Sequence, residues 1–218
     1  MKYITLLPDN KKIQISNIFC VGQNYADHAK EMGSNVSAVP SIFLKPTSAI
    51  IENGENIVIP SISKNVHHEV ELTVLIGKDG RNISEADALH YVAGYGVGLD
   101  ITLRDLQAEA KKNGSPWTLA KGFATSAPLS PFVDASKISD PQNLDIVLRV
   151  NGTERQRSNT SKMIFSVRQL IAYLSTAFGL QAGDIIYTGT PEGVAQIVAG
   201  DILEAEISGI GILNNTVI

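Results

Sequence analysis

The chain has 218 residues, 44% of them hydrophobic and 18% charged, with a formal net charge of −4, which suits a soluble globular protein able to bury a core. The acidic balance and scattered basic residues exclude nucleic acid and anionic membranes as expected partners, and no apolar run reaches the roughly 18–20 residues that span a bilayer. The single cysteine, Cys20, excludes an internal disulfide and fits a reducing, cytoplasmic compartment.

MKYITLLPDNKK turns polar before a signal-peptide core could form, and its apolar residues predict a strand over 3–6. A second strand over 18–21 runs into Gly22 and the segment QNYADHAKEMG, which has short-helix character. His28 and Glu31, three apart, would share a face there. A carboxylate-oriented histidine is a common general base near neutral pH, but the same spacing describes an incidental surface pair, the commoner case. Gly22 and Gly33 flank the segment, as hinges flank a lid.

Short strands follow at 42–44 and 57–59, then VHHEVELTVLIG, with a strand over 70–76. Glu69 and Glu71 are two apart and would share a strand face. Two carboxylates beside an apolar run repel each other and resist desolvation. A hard divalent cation, Mg²⁺ or Mn²⁺, would resolve that conflict; a solvated strand face would as well. His67 and His68 suit softer metals and read as turn or surrounding groups. Ser84 and Asp87 predict a helix over 86–92. A strand over 95–101 ends on Asp100, the best third carboxylate, at a strand-to-helix junction two residues before Thr102. Thr102 and Asp105 open the next predicted helix, and Lys111, Lys112 and Gly114 close it.

In SPWTLAKGF, Lys121 suits an anion or oxyanion contact, and Trp117, the only tryptophan, reads as core packing. Residues 130–143 read as a connecting loop, and a strand over 144–150 precedes the turn Asn151-Gly152. Ser166 and Gln169 form a capping box for a helix whose apolar stripe is Val167, Leu170, Ile171, Leu174 and Phe178, ended by Gly179. A strand over 185–188 leads into Gly189-Thr190-Pro191-Glu192-Gly193, a turn whose N–H groups and Thr190 hydroxyl could hold a carboxylate. Two last strands, 202–207 and 211–217, form an antiparallel pair about Ser208-Gly209. Many strands with a few interspersed helices and no regular βαβ alternation predict a mixed, β-rich α+β fold in one domain, residues 1–218.

As a set, FCVGQNYADHAKEMG, IFLKP, HHEVELTVLIG, GYGVGLDITLRDLQ, SPWTLAKGF, NTSKMIFSV and GDIIYTGTPEGV resemble the fumarylacetoacetate hydrolase family, specifically its short acylpyruvate-hydrolase-like members. The resemblance spans about residues 19–194. It implies a homodimer and a Mg²⁺ or Mn²⁺ ion held by Glu69, Glu71 and Asp100. It also implies a His28–Glu31 dyad on a mobile lid, an active-site Lys121, and substrate contacts from Arg104, Gln107 and Thr190. The implied activity is hydrolysis of a C–C bond in acylpyruvates, a class of α-keto acid, with oxaloacetate decarboxylation or tautomerisation alongside. Isomerisation or decarboxylation of 2-hydroxyhepta-2,4-diene-1,7-dioate is the alternative, and a scaffold homologue without catalysis is the alternative from another class. Arg157-Ser158 and Lys162 depart from the family pattern, where Asp-Gly and Asp are usual.

Overall fold

The computed structural model describes residues 1–33 and 37–218. Its largest sheet runs, from one edge to the other, through Lys11–Gln14, Tyr3–Leu7, Phe132–Asp134, Val92–Leu99, Val70–Ile76, Ile185–Tyr187, Ile18–Gly22 and Ser41–Lys45. Ala127–Leu129 joins it through Val92–Leu99 and pairs with Ile50–Glu52 on its other side. A second sheet orders Thr153–Asn159, Asp145–Val150, Ile202–Ile207, Gly211–Val217 and Asn56–Ile57. The expected mixed, β-rich architecture is observed, with helices α1 (Ala26–Glu31), α2 (Arg104–Asn113), α3 (Thr118–Lys121) and α4 (Val167–Ala177).

Every residue of Val70–Ile76 is buried, because both faces of its sheet are covered. Val70, Leu72, Val74 and Ile76 join the main core with α4 and the second sheet, while Leu75 faces Ile18, Cys20, Phe132 and Tyr187. Period-2 alternation therefore sends Glu71 and Thr73 to the Leu75 face. Helix α4 carries the expected capping box, with the Ser166 hydroxyl accepting from the Gln169 N–H and the Gln169 side chain from the Ser166 N–H. Its stripe is buried from Val167 to Leu174. Phe178 leaves the stripe: it lies at the C-cap, 49% exposed, with its ring 5.2 Å from that of Phe19.

Gly94, Gly96 and Gly98 form one face of the Val92–Leu99 strand, and aromatic rings fill the room left at Gly96 and Gly98. A Cβ at Gly96 would stand 3.1 Å from the Phe132 ring, and one at Gly98 would meet Tyr187 Cε1 and Thr73 Cγ2 at 2.6 Å. Gly98→Ala should therefore overpack the sheet and cost about 1–3 kcal/mol or more. Chemical denaturation checks this; an unchanged unfolding midpoint would count against it.

Three expectations fail, and one strand has no counterpart among them. The helix over 86–92 shrinks to a single 3-10 turn, Ala88–Tyr91, because Val92 pairs with Ile76 as a strand. Thr102 does not cap α2: it pairs with His67 in a short ladder and its hydroxyl donates to the Asp100 carbonyl at 3.0 Å. The stretch 130–143 is no free loop, since Phe132–Asp134 lies between Tyr3–Leu7 and Val92–Leu99. Thr153–Asn159 forms a strand that no apolar periodicity announces, closed onto Asp145–Val150 by Asn151 (φ +52°) and Gly152 (φ +74°). Two successive positive φ values are what a tight hairpin turn requires.

Candidate active site

Sheet register brings the acids together. Glu71 lies opposite Gly98 and Val70 opposite Leu99 in an antiparallel ladder. One step beyond, the Asp100 N–H donates to the Glu69 carbonyl at 2.8 Å. The strand ends thus converge, and one carboxylate oxygen from each of Glu69, Glu71 and Asp100 lies within 4.8 Å of the other two. All three residues are buried.

Three cations offset these charges. Lys121 Nζ bridges Glu69 Oε2 and Asp100 Oδ2 at 2.6 Å each. The Arg104 guanidinium binds the other oxygen of Glu69, and Lys45 Nζ stands 2.8 Å from Asp100 Oδ1. Lys45 also donates to the Lys121 and Ser126 carbonyls, tying its strand to α3. Burial alone would push the Glu69 carboxyl up, but Lys121 and Arg104 outweigh it and hold it well below the usual carboxylate range. Among the described residues no cation pairs with Glu71. Its Oε2 accepts the Gly189 N–H at 2.6 Å, while burial, then Asp100 and Glu69, push its carboxyl well above the ordinary value.

That imbalance is what a divalent cation would correct. The donors are three hard oxygens, and the one lacking a positive partner, Glu71, stands beside the other two, so the residues fit a Mg²⁺- or Mn²⁺-type ion. The turn at 189–193 does bind carboxylates as the sequence suggests, but they are the protein's own: Glu71 at the Gly189 N–H and Glu31 at the Gly193 N–H. Gly189 is required for the first: its φ is +99° and a Cβ would sit 2.6 Å from that of Asn24.

Helix α1 brings the second constellation. His28 Nδ1 lies 3.2 Å from Glu31 Oε2, and both Glu31 oxygens accept the Gly193 N–H at 3.1–3.2 Å. Asn24, just before the helix, donates to the Phe165 and Thr188 carbonyls at 2.9 and 2.8 Å. Both ends of the segment are therefore docked, and His28 is buried.

One pocket joins the two constellations. His28, Glu69, Glu71, Asp100, Arg104, Gln107, Lys121 and Thr190 line it, and Glu31 stands behind His28. Arg104 donates to Gln107 Oε1 at 2.7 Å, and the Thr190 hydroxyl accepts from Gln156 Nε2 at 2.9 Å. Trp117 is not core: it is half-buried, lines the pocket and packs at a tilt against Phe43, with ring centroids 5.8 Å apart. Arg157, Ser158 and Lys162 are not among the lining residues, and Arg157 pairs with Glu154 at the surface.

Sequence reasoning passed over Lys45, Lys111 and Gln156. Gln156 is a buried hub: its Oε1 accepts from the Val70 N–H at 3.2 Å and faces His68 Nδ1 at 3.0 Å. Its Nε2 donates to Pro191 as well as Thr190. It clamps the strand that carries Glu71 to the turn that holds the Glu71 carboxylate. Burial lowers the pKa of His68, and His67, bonded to Asn65, is lowered to about 4 by burial and then Arg104. Both surround the site. The strand TERQRSN offered no cue for Gln156.

Residues 17–218 match the family described as fumarylacetoacetate (FAA) hydrolase C-terminal. The chain belongs to the fumarylacetoacetate hydrolase family. Among relatives in the family, mitochondrial oxaloacetate tautomerase FAHD1 of Mus musculus is 53% identical over 194 residues, 89% of this chain and 88% of the mouse protein. Fumarylpyruvate hydrolase from Pseudomonas aeruginosa, crystallised with Mn²⁺ and pyruvate, superposes with a TM-score of 0.96 at 38% identity, covering 100% of this chain and 95% of that one. The 2-hydroxyhepta-2,4-diene-1,7-dioate isomerase of Mycobacterium marinum gives a TM-score of 0.84 at 37% identity, covering 94% of this chain and 75% of that one. Fumarylacetoacetate hydrolase relatives are thus enzymes of more than one reaction type, one of them crystallised with Mn²⁺. Among the described residues no helix is long and apolar enough to cross a membrane.

Proposed function

We propose that this protein is a divalent-metal-dependent hydrolase that cleaves acylpyruvates between C3 and C4, giving pyruvate and a carboxylic acid, and that also acts on oxaloacetate. The observation that carries this reading is the meeting, in one pocket, of the buried Glu69–Glu71–Asp100 trio and the His28–Glu31 pair. The neighbour crystallised with Mn²⁺ and pyruvate supports it.

Glu69, Glu71 and Asp100 would hold Mg²⁺ or Mn²⁺. When bound, the ion supplies Lewis-acid stabilisation of negative charge on the α-keto end of the substrate. His28, oriented by Glu31, takes a proton from water as the water oxygen attacks the C4 carbonyl. Lys121 stabilises the resulting oxyanion. The C3–C4 bond then breaks, and the imidazolium of His28 returns its proton to C3 of the departing pyruvate. Arg104, Gln107 and Thr190 position the carboxylate end. Oxaloacetate decarboxylation needs no water attack, and tautomerisation needs only proton transfer, so one residue set serves all three.

Residues 1–218 would act as one catalytic domain, in keeping with Tyr3–Leu7 pairing with Phe132–Asp134 and Asn56–Ile57 with Gly211–Val217. The working assembly is a homodimer, testable by sedimentation. The proposed compartment is the cytoplasm; the mouse relative is a mitochondrial protein. The deciding experiment assays purified protein with Mg²⁺ or Mn²⁺ on acetylpyruvate, fumarylpyruvate, oxaloacetate and 2-hydroxyhepta-2,4-diene-1,7-dioate in parallel. Acylpyruvate hydrolysis abolished by EDTA is expected. Dienedioate isomerisation as the dominant activity, or turnover that survives chelation, would overturn the proposal.

A further inference from the structure

One charged residue of the pocket has no part in the chemistry above. Lys111 lines the pocket on the same helix as Arg104 and Gln107. The three are spaced i, i+3 and i+7, so α2 presents them along one face. Arg104 is fastened to Glu69 at the carboxylate end. Seven residues of helix place the Lys111 backbone about 10 Å further along the axis.

The Lys111 ammonium lies over the Trp117 ring, 5.2 Å from its centroid, and Phe43 buttresses that indole from its own strand. A cation held over an aromatic face is partly fixed in place. Among the described residues no carboxylate pairs with it. Among the described residues it is the one cation lining the pocket without a carboxylate partner, since Arg104 and Lys121 both pair with protein carboxylates.

Charge balance points the same way. Among the described residues, three carboxylates and three cations line the pocket. A divalent ion then leaves it with two net positive charges, which a monoanionic keto acid only half neutralises.

We infer that Lys111 is a specificity-determining residue of this pocket, the group that receives the far carboxylate of a dicarboxylic 2-oxo acid. This rests on the α-keto acid reading above and deepens it. Trp117, the only tryptophan, supplies a direct signal, because its ring lies in the pocket beneath Lys111. With Mg²⁺ present, its fluorescence is titrated with 2-oxoadipate, a dianion, and with 2-oxohexanoate, a monoanion of equal chain length. Wild type should bind the dianion at least tenfold more tightly. Lys111→Met should erase that preference, Lys111→Glu should invert it, and Lys111→Arg should keep most of it. The ratio of kcat/KM for fumarylpyruvate over acetylpyruvate should fall at least tenfold in Lys111→Met. A preference that survives in Lys111→Met and Lys111→Glu would overturn the inference. Failure of wild type to bind either keto acid would instead overturn the α-keto acid reading beneath it.

Discussion

Glu69→Gln should bind Mn²⁺ on the order of a hundredfold or more weakly than wild type and lose every reaction of the site together. Glutamine keeps one oxygen and the side-chain volume, so the loss tests charge rather than shape. The change also removes the anion that Lys121 and Arg104 both face, and a stranded buried cation costs stability. Melting curves of the EDTA-treated variant separate that effect from lost chelation. Glu71 adds a pH signature. Its carboxyl is raised by burial, then by Asp100 and Glu69, so in EDTA-treated protein it retains its proton above the usual carboxylate range. Cation binding must expel that proton, and affinity therefore rises with pH, by up to about tenfold per unit while one proton is released. Calorimetric titration with Mn²⁺ in buffers of different ionisation heats counts the protons. Wild-type affinity in Glu69→Gln, or binding without proton release, would contradict the assignment.

His28→Ala should lower kcat for acylpyruvate hydrolysis by about 10²–10⁴-fold while leaving Mn²⁺ affinity within about twofold. The asymmetry follows from geometry: the carboxylate trio sits on the large sheet's strand ends, whereas His28 comes from α1, docked through Glu31 to the Gly193 N–H. Glu31→Gln should cost less, since His28 keeps its place and loses only its orienting charge. Undiminished hydrolysis in His28→Ala would remove it as the base, whatever happened to the metal.

What the sequence made legible follows from which signals are local. Val70–Ile76 and the α4 capping box were readable because apolar periodicity and a reciprocal side-chain cap sit within a few residues. The convergence of Glu69, Glu71 and Asp100 was readable because acids beside apolar runs need a positive partner. Lys45, Gln156 and Lys111 were not, since each takes its meaning from partners far along the chain: Lys45 from Asp100 and Ser126, Gln156 from Val70 and Pro191, Lys111 from its place in the pocket. Trp117 misled for a related reason. A large aromatic is usually interior, and nothing in SPWTLAKGF says that it walls a pocket beside Phe43. Thr102 misled because its pairing with His67 lies 35 residues away.

The hydrogen bond from the Asp100 N–H to the Glu69 carbonyl makes chelation a gauge of correct folding. A slip of one residue between Val70–Ile76 and Val92–Leu99 would turn Glu71 to the opposite face of the sheet and leave the chain collapsed, β-rich and unable to capture an ion. In any preparation, the stoichiometry of Mn²⁺ uptake would then count molecules whose strands are in register, a quantity that circular dichroism cannot see.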